Sequence, residues 1–216
     1  MIITIHQPEH LIWPGLIDKI SQADIFVVLD TVQFRKNYFQ NRNKIKTQDG
    51  WAWLTVPIKK HPLKMKISDI EISYNQDWTE RYLTLIKTNY NKSKYFAKYF
   101  PELEQIILKK HKYLSDLNLE LIKFILKHFN VKTKIIKASE LKLPETKSGS
   151  ETVLEICKAL SAEVYLSGIS GKDYLDLPVF QSSKIKVIFQ EFDYPDKNMS
   201  SIDLLFNNGP ELKKYD

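Results

Sequence analysis

The stretch MIITIHQPEHLIWPGLIDKISQADIFVVLD, residues 1–30, decides the fold. Met1 to Ile5 reads as one buried strand, apolar except for Thr4. Pro14 to Ala23 carries Leu16, Ile17 and Ile20 on one helical face, with proline at the helix start. Asp24 opens a second strand, the unbroken apolar run Ile25 to Leu29, of the kind found where a sheet is covered on both faces. A strand, a turn, a helix and a strand within some thirty residues form a βαβ unit, with a right-handed crossover expected. The fold class that follows is α/β, with an open, mainly parallel, Rossmann-like sheet.

Downstream, Phe39 to Thr47 and Trp51 to Ile58 read as two strands joined at Asp49-Gly50, a strong hairpin signal. From Asp77 to Phe129 the apolar spacing becomes helical, through Trp78, Tyr82, Leu85 and Ile86 to Phe129. Residues 77–129 are therefore expected as a helical insertion or subdomain within a single α/β domain spanning 1–216, packed at one edge of the sheet. The last third alternates again: Lys132 to Lys137, Glu163 to Ser167 and Lys186 to Phe192 as strands, Ser150 to Leu160 as a helix.

A chain of 216 residues can bury a proper core, and 43% hydrophobic with 27% charged residues is an ordinary globular balance. Lys and Arg number 32 against 26 Asp and Glu, a net charge of +6. The lysines read as spread along the chain, so a solvated surface is the simplest account. No nucleic-acid partner is expected, while a phosphate-bearing ligand fits. The lone Cys157 lies in an apolar helical stretch, which excludes an internal disulfide and points to a buried thiol in a reducing compartment. No run approaches the ~20 apolar residues of a membrane span, and the start has no basic, signal-like region. A cytoplasmic protein without membrane insertion is expected.

In an open α/β sheet, ligands bind beyond the carboxyl ends of strands. Two polar segments occupy such positions. The first, His6-Gln7-Pro8-Glu9-His10 through Trp13 and Gly15, offers His6 for acid-base work, while Gly15 and free helix-start amides would admit a phosphate. His10 reads as surface. The second contains Asp30, Gln33, Arg35, Lys36, Asn41, Arg42 and Asn43, in which one carboxylate, amides and two arginines suit a phosphorylated substrate. A third segment, Ser167-Gly168-Ile169-Ser170-Gly171-Lys172, is an anion-binding candidate but lacks the Walker A spacing. His61 and His111 stand beside lysines in expected surface segments, and His128 ends a helix. No histidine pair has metal-ligand spacing, so no metal site is expected.

Several dispersed motifs stand in order along nearly the whole chain: His6-Gln7-Pro8, Trp13-Pro14-Gly15, Asp18-Lys19-Ile20, Ala23-Asp24, Leu29-Asp30 with Val32-Gln33-Phe34, Asn41-Arg42-Asn43, Leu54-Thr55-Val56-Pro57, Tyr165-Leu166-Ser167-Gly168 and Ser201-Ile202-Asp203-Leu204-Leu205-Phe206-Asn207. Together they resemble the WbqC-like family. The resemblance implies a role in bacterial O-antigen, lipopolysaccharide or related surface-glycan synthesis. Two departures stand out: His10 replaces an aromatic usual in the family, and the segment between Pro195 and Ser201 is short. The opening layout is also similar to that of HIGH-motif nucleotidyltransferases and pantothenate synthetase-type ligases, but Trp13 and Leu16 stand where their histidines belong.

The leading expectation is an enzyme modifying a nucleotide-activated amino sugar by N-acyl or aminoacyl amide formation, of transferase or ligase type. His6 or Asp30 would be the catalytic base. Gln7, Trp13, Gly15, Gln33, Arg35, Asn41, Arg42, Asn43, Ser167, Gly168 and Lys172 would bind substrate, and ATP or a nucleotide sugar would be the nucleotide. The alternative is a non-catalytic scaffold of a polysaccharide assembly complex, using exposed aromatics such as Tyr90, Tyr95 and Tyr99.

Overall fold

The computed structural model describes residues 1–193 and 199–212. Its elements are β1 (Ile2–His6), α1 (Pro14–Ser21), β2 (Ile25–Val28), β3 (Arg42–Thr47), β4 (Gly50–Thr55), α2 (Trp78–Tyr90), α3 (Phe96–Leu108), α4 (Leu114–His128), β5 (Lys134–Lys137), α5 (Gly149–Ala159), β6 (Val164–Ser167), α6 (Leu177–Ser182), β7 (Lys186–Phe189) and α7 (Ser201–Asn207). Five strands form one open sheet in the order β5-β2-β1-β6-β7, and every pairing in it is parallel. The α/β reading of residues 1–30 therefore holds, with β1 in the centre of the sheet.

The side-chain period of two divides the core. Ile3, Ile5, Ile25 and Val27 face α5 and α6, where Val153, Ile156, Cys157 and Phe180 complete one apolar layer. Phe26 and Val28 face the opposite way and join α1, the hairpin and helices α2, α3 and α4 in the larger layer. The helical block thus shares a core with one face of the sheet, whereas the sequence suggested an edge. The reason lies in its stripes: Tyr82, Ile86, Leu103, Ile107, Leu121 and Ile125 bury too much apolar surface for a sheet edge to cover.

The β3–β4 hairpin is a separate antiparallel pair, closed by Gln48-Asp49, one residue before the expected Asp49-Gly50, since Gly50 at φ +120° already pairs with Thr47. It is shorter at its outer ends than the apolar pattern suggested. Residues 39–41 leave the ladder because Asn41 and Gln40 turn inward to make side-chain bonds.

Candidate functional site

From β1 the chain moves outward through α1 to β2 on one side, while β6 and β7 extend the sheet on the other. The carboxyl ends of β1 and β6 therefore flank the point where the strand order reverses, where an open α/β sheet leaves a crevice for ligands. His6 ends β1, and Ser167-Gly168 ends β6. A side chain built on Gly168 would meet nothing within 4 Å, so this strand end is open.

His6 points to the α1 side and sits in a polar cluster. Its Nε2 lies 3.1 Å from Glu9 Oε1, and its Nδ1 lies 3.3 Å from Lys19 Nζ, which also donates to the Ile5 carbonyl. The His6 side chain keeps 31% of its exposure and Glu9 10%, whereas Lys19 is buried. Burial lowers the Lys19 pKa to about 8, against the pull of the Glu9 charge. An ammonium has no acceptor, so Lys19 donates to Nδ1 and the neutral ring carries its hydrogen on Nε2, toward Glu9. Glu9 and Lys19 were missed as site residues. The available signal was a lysine at the inward spacing of Leu16 and Ile20 in an eight-residue helix.

Gln190, just after β7, closes the crevice from the far side. Its backbone N–H donates to Ser167, and its side-chain amide donates to the Gly15 carbonyl at 2.8 Å and Asp18 Oδ2 at 2.7 Å. Lys172 is exposed, with Nζ 5.4 Å from the Phe189 ring centroid. It sits in the short 3-10 helix 169–173, whose leading amides, Ile169 and Ser170, have no intrahelical acceptor.

Other expected positions take different places. Asp30 is buried, and both carboxylate oxygens accept from Ser139, one from its N–H at 3.0 Å and one from its hydroxyl at 2.6 Å, fastening the end of β5. The space over Gly15 is filled by side chains: the Trp13 ring lies 2.0 Å from where a Cβ would stand, with Phe192 at 2.8 Å. The start of α1 offers few free amides, since Pro14 has none and Leu16 and Ile17 donate to Trp13. Asn43 is buried and donates to the carbonyls of His10 and Leu11, the latter at φ +45°, while Asn41 donates to Val56. Gln7 accepts from Gln40, which in turn accepts from the Arg35 backbone. Gln33 is exposed and bonds to Leu63. Arg35 and Arg42 lie over the rings of Tyr38 and Trp53, so they line the hairpin and not the β1–β6 crevice.

His10 is fully buried, contrary to its surface reading, because Tyr82 and Asn118 from the helical block bond both ring nitrogens. His111 and His128 bond Glu120 and Glu102. Cys157 is buried in the apolar layer and its pKa is pushed up to about 12. Of the aromatics named for a scaffold, Tyr90 and Tyr99 are 2% exposed and belong to the core, whereas Tyr95 is only partly buried.

Comparison with known proteins adds family context. The model of the WbqC-like protein family matches residues 7–215. The uncharacterized protein Rv1507c of Mycobacterium tuberculosis is 31% identical over 225 aligned positions, covering 99% of this chain and 96% of the relative. No solved structure matches.

Proposed function

This chain belongs to the WbqC-like protein family, and from that premise we propose an enzyme of surface-polysaccharide synthesis that forms an amide on a nucleotide-linked amino sugar. The supporting observation is the Glu9–His6–Lys19 chain at the carboxyl end of the central strand, beside the reversal of strand order. In amide formation the sugar amine attacks an acyl carbonyl, a C–N bond forms, the acyl carrier leaves, and the nitrogen sheds a proton. Within the partly exposed His6–Glu9 pair the proton goes to the Glu9 carboxylate, because Lys19 occupies the Nδ1 lone pair of the ring and Nε2 carries the hydrogen that holds Glu9 in place. The pair is preferred to Asp30 as the base because Ser139 occupies both Asp30 oxygens.

The open end of β6 provides the substrate side of the same crevice. The leading amides of the 169–173 turn and the Lys172 ammonium suit the phosphates of the nucleotide. Ser167 and Gly168 permit close approach. Thermal-shift screening with UDP-, dTDP- and GDP-sugars and with ATP tests this reading, since a ligand at 100 times its Kd stabilises the folded state by about 2.7 kcal/mol. His6→Asn and Glu9→Gln are expected to keep the shift and lose amide formation. Absence of a shift with every nucleotide sugar would overturn the proposal.

A further inference from the structure

Residues 31–68 carry nine Lys and Arg and a single acid, Asp49. That segment is +8, in a chain whose net charge is +6, so the remainder of the molecule is −2. The lysines are therefore not evenly spread. Only within the fold does the block acquire a shape: it comprises the β3–β4 hairpin and two flanking loops, which are joined where the Phe34 N–H donates to Met65 and Gln33 pairs with Lys66.

The hairpin register sorts its two faces. Asn43, Ile45, Ala52 and Leu54 turn toward the core, which leaves Arg42, Lys44 and Lys46 opposite Thr55, Trp53 and Trp51 on the outer face. The rings there form a continuous row. Trp51 contacts Trp53 at 5.5 Å, Trp53 contacts Phe39 at 6.0 Å, and Phe39 contacts Tyr38 at 5.5 Å. Cations lie along the row: Lys44 is 4.1 Å from the Trp51 centroid and Arg42 4.0 Å from that of Trp53. Trp51 is 49% exposed, Tyr38 44%, and Leu63, on the adjoining loop, 87%. Lys46 and Lys59 pair with Asp203 and Glu71. Among the described residues the other seven cations have no carboxylate within ion-pair distance.

We propose that this outer hairpin face docks on an anionic lipid bilayer. Charge complementarity selects a polyanion, and exposed Trp, Tyr and Leu interleaved with Lys and Arg are the groups that settle at a charged membrane–water interface. A single-stranded nucleic acid is less well served, because bases need open ring faces and a face of both tryptophans is already taken by a cation. The attachment is peripheral: among the described residues no helix is long and apolar enough to cross a membrane. It is independent of the His6 crevice.

The test is flotation of the full chain with phosphatidylcholine vesicles, with and without phosphatidylserine. Binding is expected only with the anionic lipid, weakening as salt is raised. Each surface cation removed weakens membrane attraction about fivefold, so the combined variant Lys36→Gln, Lys60→Gln, Lys64→Gln should bind on the order of a hundredfold less tightly. Trp51→Ala should abolish a blue shift of tryptophan emission on vesicle addition, and both variants should melt like the parent. Equal binding to neutral and anionic vesicles, no binding to either at low salt, or retention of single-stranded oligonucleotides without vesicle binding would overturn the proposal.

Discussion

Asn118 fixes the tautomer of His10. Its amide hydrogens go to the carbonyls of Pro8 at 2.8 Å and Gln40 at 2.7 Å, which leaves its oxygen to face His10 Nδ1 at 3.0 Å. Nδ1 must therefore carry the hydrogen, and Nε2 accepts from the Tyr82 hydroxyl at 2.7 Å. Three polar side chains on two parts of the chain are satisfied only as a set.

Replacing His10 with Phe would leave the Tyr82 hydroxyl and the Asn118 oxygen buried without partners. At about 1–3 kcal/mol for each orphaned group, His10→Phe alone is expected to lower stability by about 2–6 kcal/mol. The urea midpoint, measured with unchanged slope, reads this directly.

The same histidine makes stability acid-sensitive. Burial lowers its pKa from 6.5 to about 4. Between those values the unfolded chain binds a proton that the folded protein refuses, so this contribution is complete above pH 6.5 and is lost as pH falls toward 4. About 3 kcal/mol is at stake. Urea titrations at pH 7 and pH 4.5 should show the loss, and the His10→Phe protein should lack that component.

Lys19 acts at the other end of the scale. Its folded pKa of about 8 lies below its ordinary 10.5, so its burial penalty is full below pH 8 and disappears as pH rises toward 10.5. This residue should therefore add about 3 kcal/mol of stability across that interval. Lys19→Met is expected to flatten the rise while abolishing turnover. A variant with the parental pH dependence would contradict the assignment.

Gly15→Ala places a methyl carbon inside the Trp13 ring and against Phe192. Displacing the indole is expected to cost about 1–3 kcal/mol. Pairing the change with Trp13→Ala should recover part of that loss in a double-mutant cycle, because the clash is between those two residues.

Cys157 should resist alkylation in the folded protein, since burial raises its thiol to about 12 and only the thiolate reacts. Iodoacetamide labelling should track the unfolded fraction through a denaturation series. Fast labelling under native conditions would contradict its placement.

The parallel sheet was legible in residues 1–30 because β1 is apolar except for Thr4 and His6, β2 is an unbroken apolar run, and the first helix shows a clean three-and-four spacing. The hairpin was legible from Asp49-Gly50, although the turn itself falls one residue earlier, on Gln48-Asp49. His6 was legible as a strand-end residue, but its partners were not: Glu9 and Lys19 look like solvated charges until α1 folds back on β1 and buries the lysine. Asp30 and Asn43 illustrate the converse. Their residue types suit ligand binding, yet each is used to hold backbone that lies remote in sequence, a demand that local pattern does not reveal. The basic face escaped for a related reason, since nine cations distributed over 38 residues gain coherence only when the hairpin and its loops stack together.

The pairing of β1 with β6 joins Ile2 to Val164 and Thr4 to Leu166. On a ribosome, the central strand is made long before β6, its second neighbour, and waits through all the intervening sequence. Until then one edge of β1 offers unpaired amides and carbonyls to any passing strand. Such distant closure slows folding and extends exposure to aggregation. Recombinant yield should therefore depend on chaperone supply and growth temperature more than the finished molecule's stability suggests.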